Sequence, residues 1–297
     1  MSISAVIYQW LLKTYHILPF KKDICLLLRA LPFNHEKYYR DTKFNGIFKT
    51  RVDKEELRLV HYSSTIENEI FWKGIDNGWE KNSIKYWKLL SKQSSVIFDI
   101  GANTGIYSLI AAKLNQSAKV YGFEPSKNIY TKFEKNVALN KLKNVHCFYY
   151  ALSDKNDTAK FYDLENTHTY SASLNREMLK QNSFLKETIV PVKKIATFIQ
   201  ENNLQKIDLM KIDVEMHELE VLAGMENYLR QFKPSILLEV LKQETAIKIS
   251  QMLENMTYCY FDMNEKNAPV RLPAINRGSA DNILLCQEEV ARQIGLL

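Results

Sequence analysis

The stretch VIFDIGANTG, residues 96–105, decides the fold that this sequence predicts. It predicts a buried strand that ends at the acid Asp99 and turns through two glycines into a helix. A second apolar run, KVYGFEP at residues 119–125, ends in the same way at Glu124. Two acids at the carboxyl ends of adjacent parallel strands, with a glycine turn between them, form a nucleoside-binding crevice.

The glycine turn favours a nucleoside that carries no phosphates. It lacks the third glycine of the GxGxxG spacing that grips a pyrophosphate. Asp99 can accept a hydrogen bond from an ammonium group, and Gly101 and Gly105 let the backbone approach a ligand closely. Asn103 could bond the ligand or only the turn, and the helix start near Thr104 offers N–H groups to a carboxylate. An ammonium and a carboxylate together match the methionine end of S-adenosylmethionine, the cofactor that we predict.

The other end of the predicted crevice would hold the ribose and the adenine. Glu124 offers two acceptor oxygens to the two ribose hydroxyls. An NAD site uses a carboxylate in the same way, so Glu124 alone does not choose between the cofactors. The segment ALSD at residues 151–154 closes a third predicted strand. Ser153 or Asp154 would reach the polar edge of the adenine, and a plain turn explains these residues equally well.

Candidate catalytic residues follow a fourth predicted strand, in the segment KIDVEMHE at 211–218. Lys211 and Asp213 are two residues apart on a strand and therefore point the same way. Asp213 is predicted at the mouth of the crevice, beside the transferred group. His217 is a candidate general base, because its ordinary pKa is near neutrality, or else a surface helix residue. Glu239, at the end of a fifth strand, completes a ring of carboxylates whose spacing does not indicate a metal. The candidate bases for the proton of an acceptor hydroxyl are, in order, Asp213, His217 and Glu239.

Composition places the chain among ordinary soluble globular proteins. It has 297 residues, 46% of them hydrophobic, and a net charge of +6 that is scattered rather than clustered. No arginine cluster, aromatic strand motif or zinc spacing indicates a nucleic-acid partner. The four cysteines are widely separated, as expected of buried thiols in a reducing compartment, and we expect a cytoplasmic protein.

The predicted fold class is α/β. Residues 1–90 are predicted to form a mostly helical N-terminal extension, and residues 91–297 a Rossmann-like domain. Its sheet is expected to be mostly parallel, with the third strand at 145–151. Strands near 257–262 and 282–286 are expected to form an antiparallel edge hairpin.

Two segments outside the predicted strands could contact an acceptor or a membrane. The polar segment 165–186 is long enough for a lid or acceptor loop, or it is a plain surface loop. The apolar segment 3–20 is interrupted by Gln9, Lys13 and His16, which is too often for a transmembrane span. It is expected to pack on its own domain or, as the alternative, to lie on a membrane surface as an amphipathic helix.

The order of these motifs resembles the FkbM family of S-adenosylmethionine-dependent methyltransferases. The resemblance rests on FDIGANTG (98–105), YGFEP (121–125), ALSD (151–154), LMKIDVE with the glutamate that follows (209–218), LAG (222–224), LLE (237–239) and the lead-in NGWE (77–80). It implies a class I methyltransferase fold and O-methylation of a hydroxyl on a sugar, a glycan or a related small molecule. It also implies cofactor roles for Asp99, Gly101, Asn103 and Glu124, and a place beside the reacting methyl for Asp213.

One residue departs from the family pattern, and three other classes of protein stay open. The family usually has glycine after the glutamate of strand four, where this chain has Met216. A non-catalytic member that binds a glycan or a partner enzyme would tolerate such a change. An NAD-dependent oxidoreductase would need the missing third glycine. A nucleic-acid methyltransferase usually has an aromatic motif such as Asn-Pro-Pro-Tyr after strand four, and the residues Asp213 to Met216 are not one.

Overall fold

The computed structural model describes residues 15, 17–31, 40–164, 172–174, 185–278 and 281–297. The chain divides into two units, with the division between Trp79 and Glu80. The sequence prediction placed this boundary at residue 90. Most of the predicted membrane-surface helix and most of the predicted acceptor loop lie outside the described residues.

The first unit contains a β-hairpin as well as helices. Its described elements are α1 (Lys21–Ala30), β1 (Asn45–Val52), β2 (Glu55–Tyr62) and α2 (Thr65–Lys73). Strands β1 and β2 pair antiparallel, from Asn45 opposite Tyr62 to Val52 opposite Glu55. In β1, Phe48, Thr50 and Val52 are buried while the residues between them are exposed, which is the two-residue period of a half-buried strand. The expectation of a mostly helical extension therefore missed this hairpin.

The second unit is built on an eight-stranded sheet with helices between its parallel strands. Its elements are α3 (Lys81–Gln93), β3 (Val96–Ile100), α4 (Ile106–Leu114), β4 (Lys119–Phe123), α5 (Lys127–Leu139), β5 (Val145–Phe148), β6 (Ala151–Ser153), β7 (Asp157–Leu164), β8 (Ala172–Ser173), β9 (Leu185–Lys194), α6 (Ile195–Glu201), β10 (Leu209–Ile212), α7 (Glu218–Ala223), α8 (Asn227–Phe232), β11 (Ser235–Glu239), α9 (Gln243–Met252), β12 (Tyr258–Asp262), β13 (Val270–Leu272), β14 (Asn282–Gln287) and α10 (Glu288–Gln293). The strand order is β13-β12-β14-β11-β10-β3-β4-β5.

The sheet has the mixed topology that the sequence predicts. Strands β5, β4, β3, β10 and β11 are parallel neighbours, and β14 pairs antiparallel with both β11 and β12. Because β3 lies between β4 and β10, the carboxyl ends of all three strands meet at one edge. The prediction of a mostly parallel α/β fold with an antiparallel edge pair is confirmed.

The predicted third strand at 145–151 is wrong as one element. The chain bends at Tyr149 and Tyr150, and the residues on either side join different sheets. Strand β5 completes the large sheet, whereas β6 pairs parallel with β9 in a four-stranded sheet ordered β6-β9-β7-β8. Ser153 therefore belongs to this second sheet.

Aromatic rings fill the core beneath the crevice. Phe98 of β3 and Phe123 of β4 are buried, and both rings contact Phe198 of α6, with centroids 5.5 and 5.1 Å away. These contacts fix the two strands that end in Asp99 and Glu124 against a helix. Among the described helices, none has the length and apolar character that crossing a bilayer requires.

Candidate active site

Gly101 occupies a position that no other residue fits. Its φ is +77°, and a Cβ atom built there would lie 1.8 Å from the carbonyl oxygen of Asp213. The Gly101 and Ala102 N–H groups both donate to the Phe123 carbonyl, at 3.0 and 2.9 Å, and the Asp213 N–H donates to Ile100 at 3.0 Å. The turn after β3 is thus clamped between β4 and the exit of β10.

Just before the helix that follows this turn, the N–H groups of Thr104 and Gly105 donate to acceptors within the turn itself. Gly105 has a φ of +87°, and a Cβ atom there would lie 2.1 Å from the Phe133 ring. The side-chain oxygen of Asn103 accepts the Thr104 N–H at 2.8 Å, and the Gly105 N–H donates to Ala102 at 2.8 Å. The N–H groups of Thr104 and Gly105 therefore have acceptors within the turn, and the carboxylate site predicted at this helix start stays a prediction.

Asp99 is buried at the end of β3, with 1% of its surface exposed. Its Oδ2 atom accepts the Ser108 N–H at 2.9 Å and the Ser108 hydroxyl at 2.7 Å, so α4 holds the carboxylate in place. Burial raises the pKa of Asp99, and the charge of Lys211 and the Ser108 hydrogen bonds act against this rise. Lys211 is also its direct neighbour in the pairing of β3 with β10.

Glu124 follows β4 and supports the turn with both oxygens. Its Oε2 atom accepts the Asn103 N–H at 3.0 Å, and its Oε1 atom accepts the Ser126 N–H at 2.8 Å. Both oxygens of Glu124 therefore hold the backbone of this turn, and the predicted role of Glu124 toward a ribose diol stays a prediction.

Lys211 is a buried cation that interacts with three acids of the site, Asp213, Glu80 and Asp99. Its side chain is 3% exposed, and its Nζ atom lies 2.6 Å from Oδ2 of Asp213. The ammonium also lies 4.6 Å from the centre of the Tyr107 ring, a cation–π distance. Burial acts to lower the pKa of Lys211, but the charges of Asp213, Glu80 and Asp99 outweigh it and raise the pKa above its usual value.

Glu80 is a site residue to which the sequence analysis gave no role. Its Oε2 atom accepts a hydrogen bond from the Tyr107 hydroxyl, and Asn282 at the start of β14 also donates to it. Burial raises the pKa of Glu80 to about 7, against the charge of Lys211. In the sequence, Glu80 is the last residue of the NGWE segment that resembles the family pattern, but that resemblance implies no catalytic or binding role for it.

Three further glutamates complete the acidic side of the crevice. Burial raises the pKa of Glu215 and of Glu218 to about 7, and the charge of Asp213 adds to both. Burial also raises the pKa of Glu239 well above its usual value, with Asp213 again adding to the shift. The Oε2 atom of Glu239 is buried and has no hydrogen-bond partner among the described residues. Within the same residues, no His, Cys, Asp or Glu group of three or more could hold a metal ion.

The structure joins Ser153 with His217. The Nε2 atom of His217 lies 2.9 Å from the Ser153 hydroxyl, which also donates to Asp154 at 3.1 Å. The Nδ1 atom of His217 lies 3.5 Å from Glu220. Burial lowers the pKa of His217, so the ring favours its neutral form at pH 7. The histidine is therefore bonded to the rim that was predicted to cover the adenine, rather than exposed on a helix surface.

Met216 stands where the family pattern usually has glycine, and its backbone is in the left-handed region that favours glycine. The φ angle of Met216 is +76° and that of Glu215 is +53°, so two consecutive residues have a left-handed backbone conformation. The Met216 N–H donates to Oε1 of Glu218 at 3.0 Å, which holds the turn in this shape. A left-handed conformation costs an L-residue roughly 1–2 kcal/mol.

Replacing Met216 by glycine is expected to relieve this strain. The variant Met216→Ala keeps the left-handed cost and removes the same side-chain atoms beyond Cβ, so it is the matched control. After the entropic cost of glycine, of roughly 0.5–1 kcal/mol, Met216→Gly should be more stable than Met216→Ala by about 0.5–1 kcal/mol. Urea unfolding of both proteins measures the difference. Equal or greater stability of the alanine variant would show that the turn is not strained.

The fold and the acid-lined edge define the class of protein. The sheet is mostly parallel, and the antiparallel strand β14 is inserted between β11 and β12 near its edge. Together with the acids at the carboxyl ends of β3 and β4 beside a glycine turn, this is a class I methyltransferase fold. The profile of the methyltransferase FkbM domain matches residues 99–263, more than half of the chain. The chain belongs to this family of methyltransferases.

Individual relatives are distant. Methyltransferase 1 of Beauveria bassiana is 26% identical over 148 residues, covering 45% of this chain and 59% of that protein. Methyltransferase sdnD of Sordaria araneosa is 27% identical over 200 residues, covering 57% and 73%. The hexuronic acid methyltransferase AglP of Haloferax volcanii is 25% identical over 162 residues, covering 54% and 63%. The crystal structure of methyltransferase FkbM from Methylobacillus flagellatus superposes with a TM-score of 0.44 at 13% identity, covering 65% of this chain and 43% of that one.

Proposed function

We propose that this protein transfers a methyl group from S-adenosylmethionine to a hydroxyl of a sugar or glycan. The choice of cofactor rests on the turn after β3, whose N–H groups are already bonded within the protein. The N–H groups of Asn103, Thr104 and Gly105 are bonded to Glu124, Asn103 and Ala102. A pyrophosphate would have to displace these bonds and then lie among carboxylates, so a cationic, phosphate-free nucleoside fits better than a dinucleotide.

The described acids match the charges of this cofactor. S-adenosylmethionine supplies an activated methyl group on a sulfonium, and it also carries an ammonium. Asp99 would hold the ammonium, Glu124 the ribose hydroxyls, and Ser153 or Asp154 the adenine edge. Their main contribution to the rate is to fix the donor in line with the acceptor hydroxyl.

Among the three candidate bases, Glu239 is the one we assign to the acceptor proton. Asp213 has one oxygen on the Lys211 ammonium, and His217 is bonded to Ser153. Glu239 has a buried oxygen without a partner among the described residues, and burial raises its affinity for protons. The variant Glu239→Gln should lose about 10²–10⁴-fold in kcat and keep its donor affinity. Unchanged turnover would return the role to Asp213 or His217.

Two observations support a sugar hydroxyl as the acceptor, namely the name of one relative and the carboxylates beside Asp213. AglP carries the name of a hexuronic acid methyltransferase and aligns with 54% of this chain. Methyl transfer to a hydroxyl is assisted by a base that takes the hydroxyl proton, and the carboxylates beside Asp213 can supply that base.

Calorimetric titration separates this function from its rivals. The protein should bind S-adenosylmethionine and S-adenosylhomocysteine, and it should not bind NAD. The variant Glu124→Gln should weaken donor affinity roughly 10- to 100-fold, as expected for the loss of charge-assisted hydrogen bonds. Glu254→Gln, at an exposed position on the surface, is the matched control and should bind normally. NAD binding, or equal donor affinity in both variants, would overturn the proposed cofactor site.

Methyl transfer needs its own measurement. Donor carrying a labelled methyl group is incubated with the protein and with oligosaccharides that do or do not contain hexuronic acids. Label recovered in a sugar as an acid-stable methyl ether supports the proposal. Donor binding without transfer to any hydroxyl would favour a non-catalytic member of the family.

Donor affinity is expected to rise with pH. Burial raises the pKa values of Glu80, Glu215 and Glu218 from 4.5 to about 7, so these groups take up protons in the empty site as the pH falls through 7. A cationic donor binds best when they are ionised. Between about pH 6 and pH 8, affinity for S-adenosylmethionine should therefore rise more than affinity for S-adenosylhomocysteine, which lacks the sulfonium charge.

Calorimetric titration of both ligands at these two pH values measures the effect, and a constant ratio of the two affinities would contradict it. The same shifts have the opposite sign for the stability of the empty protein. Because the pKa values of these carboxyls are higher in the folded than in the unfolded state, the free energy of unfolding of the empty protein falls as the pH rises from about 4.5 to about 7.

A further inference from the structure

The first unit contains a cavity of about 400 Å³ that the methyl-transfer site does not use. All of its lining residues belong to this unit, between Arg29 and Asn77. Three of them are cationic, namely Arg29, Lys49 and Arg51, and the two acids are Glu56 and Asp76. The volume is that of a small-molecule site rather than of a macromolecular groove.

Arg29 is the most informative residue of this cavity. Its guanidinium lies 4.9 Å from the centre of the Phe71 ring, so the side chain is fixed against α2. Burial lowers the pKa of Arg29, and no carboxylate acts against this shift. Among the described residues the guanidinium forms no ion pair. A partly desolvated arginine is usually paired with an acid or with a ligand, and no acid of the described residues is paired with this one.

The acids of the lining do not neutralise the two arginines. The two oxygens of Glu56 are each paired with a cation, Oε2 with Lys49 Nζ and Oε1 with Arg58 Nε, both at 2.9 Å. The charge of Glu56 is therefore already shared between two cations. Asp76 is exposed at the rim. Arg51 projects from the exposed face of β1, on the same side as Lys49, and it forms no ion pair within the described part of the chain.

We propose that this cavity binds a phosphate or diphosphate ester. Two guanidinium groups present planar pairs of N–H donors, which match phosphate oxygens bidentately. Thr50, Gly74, Ile75 and Asn77 complete the lining and carry no charge. A single carboxylate would satisfy only one of the arginines, so the two together favour the larger, doubly charged anion. This site is additional to the proposed donor site.

Inorganic pyrophosphate titrated into the full chain tests the proposal. Wild-type protein should bind it, and Arg29→Gln and Arg51→Gln should each weaken binding about tenfold or more, as expected for the loss of a charge-assisted bidentate contact. Arg58→Gln is the matched control, because Arg58 contacts Glu56 on the hairpin and does not line the cavity. It should bind pyrophosphate normally.

Two further measurements keep the result decisive. Binding of S-adenosylhomocysteine by every variant shows that the second unit is folded, and comparison of each variant's circular dichroism with that of wild type shows whether the first unit is folded. Failure of wild type to bind S-adenosylhomocysteine would count against the donor site and not against this one. Should Arg29→Gln unfold the first unit, Arg51→Gln on the exposed strand face carries the test. Uridine diphosphate and geranyl diphosphate then distinguish a nucleotide from a lipid source. No pyrophosphate binding to wild type, or equal binding by Arg51→Gln, would overturn the proposal.

Discussion

Replacing Gly101 by alanine is expected to destabilise the protein by more than about 3 kcal/mol and to abolish donor binding. The added Cβ atom would lie 1.8 Å from the backbone carbonyl oxygen of Asp213, and backbone cannot move aside as the end of a side chain can. The φ of +77° adds the left-handed penalty of roughly 1–2 kcal/mol. Relieving the contact requires β3 to separate from the exit of β10, which carries Asp213 and Lys211.

Gly295→Ala is the matched control for this variant. Gly295 has a φ of +75°, and a Cβ atom there meets nothing within 4 Å. It should therefore show the left-handed penalty alone, about 1 kcal/mol, and keep donor affinity. Urea unfolding and titration with S-adenosylhomocysteine measure both quantities. Equal losses of stability in the two variants would mean that the β3 turn is not clamped by Asp213.

The parts of the site that the sequence predicts are those set by short-range pattern. Asp99 and Glu124 each follow a short apolar run, and a Gly or Pro comes soon after each acid. The shortness of such a run and the Gly or Pro beside it favour a strand over a buried helix segment. The pairing of Lys211 with Asp213 follows from the two-residue period of a strand, and the structure places their charged atoms 2.6 Å apart.

The parts that the sequence missed depend on long-range contacts. Glu80 enters the site only because the Tyr107 hydroxyl of α4 and Asn282 of β14 converge on it, and no local period encodes that meeting. The N–H groups of the β3 turn are taken by the side chains of Asn103 and Glu124, which spacing alone does not reveal. The break between β5 and β6 is set by pairing with β9, some forty residues later.

Replacing Lys211 by methionine is expected to have the second large effect. The side chain keeps its length and apolar stem, but Asp213, Asp99 and Glu80 lose the cation that acts on all three. Removing one member of a buried ion pair costs about 3–5 kcal/mol, because the remaining charge is left uncompensated. Activity should be lost as well, because Asp213, which is predicted to lie beside the transferred group, loses the ammonium that it contacts.

Lys206→Met is the matched control, because Lys206 forms a more exposed pair with Asp208 at 3.0 Å. An exposed pair is worth roughly 0–1 kcal/mol, so this variant should unfold almost as wild type does.

The pH dependence shows whether lost charge or lost packing destabilises Lys211→Met. In this variant the pKa values of Asp99 and Glu80 rise further in the folded state, because the cation that opposed the effect of burial is gone. A carboxyl with a raised folded pKa destabilises the protein when it is ionised and ceases to do so once it is protonated. The stability deficit of Lys211→Met relative to wild type should therefore shrink as the pH falls from about 8 to about 5, measured by urea unfolding. A deficit that is constant over this range would assign the loss to packing around Tyr107 instead, and would remove the reason for placing Lys211 at the electrostatic centre of the site.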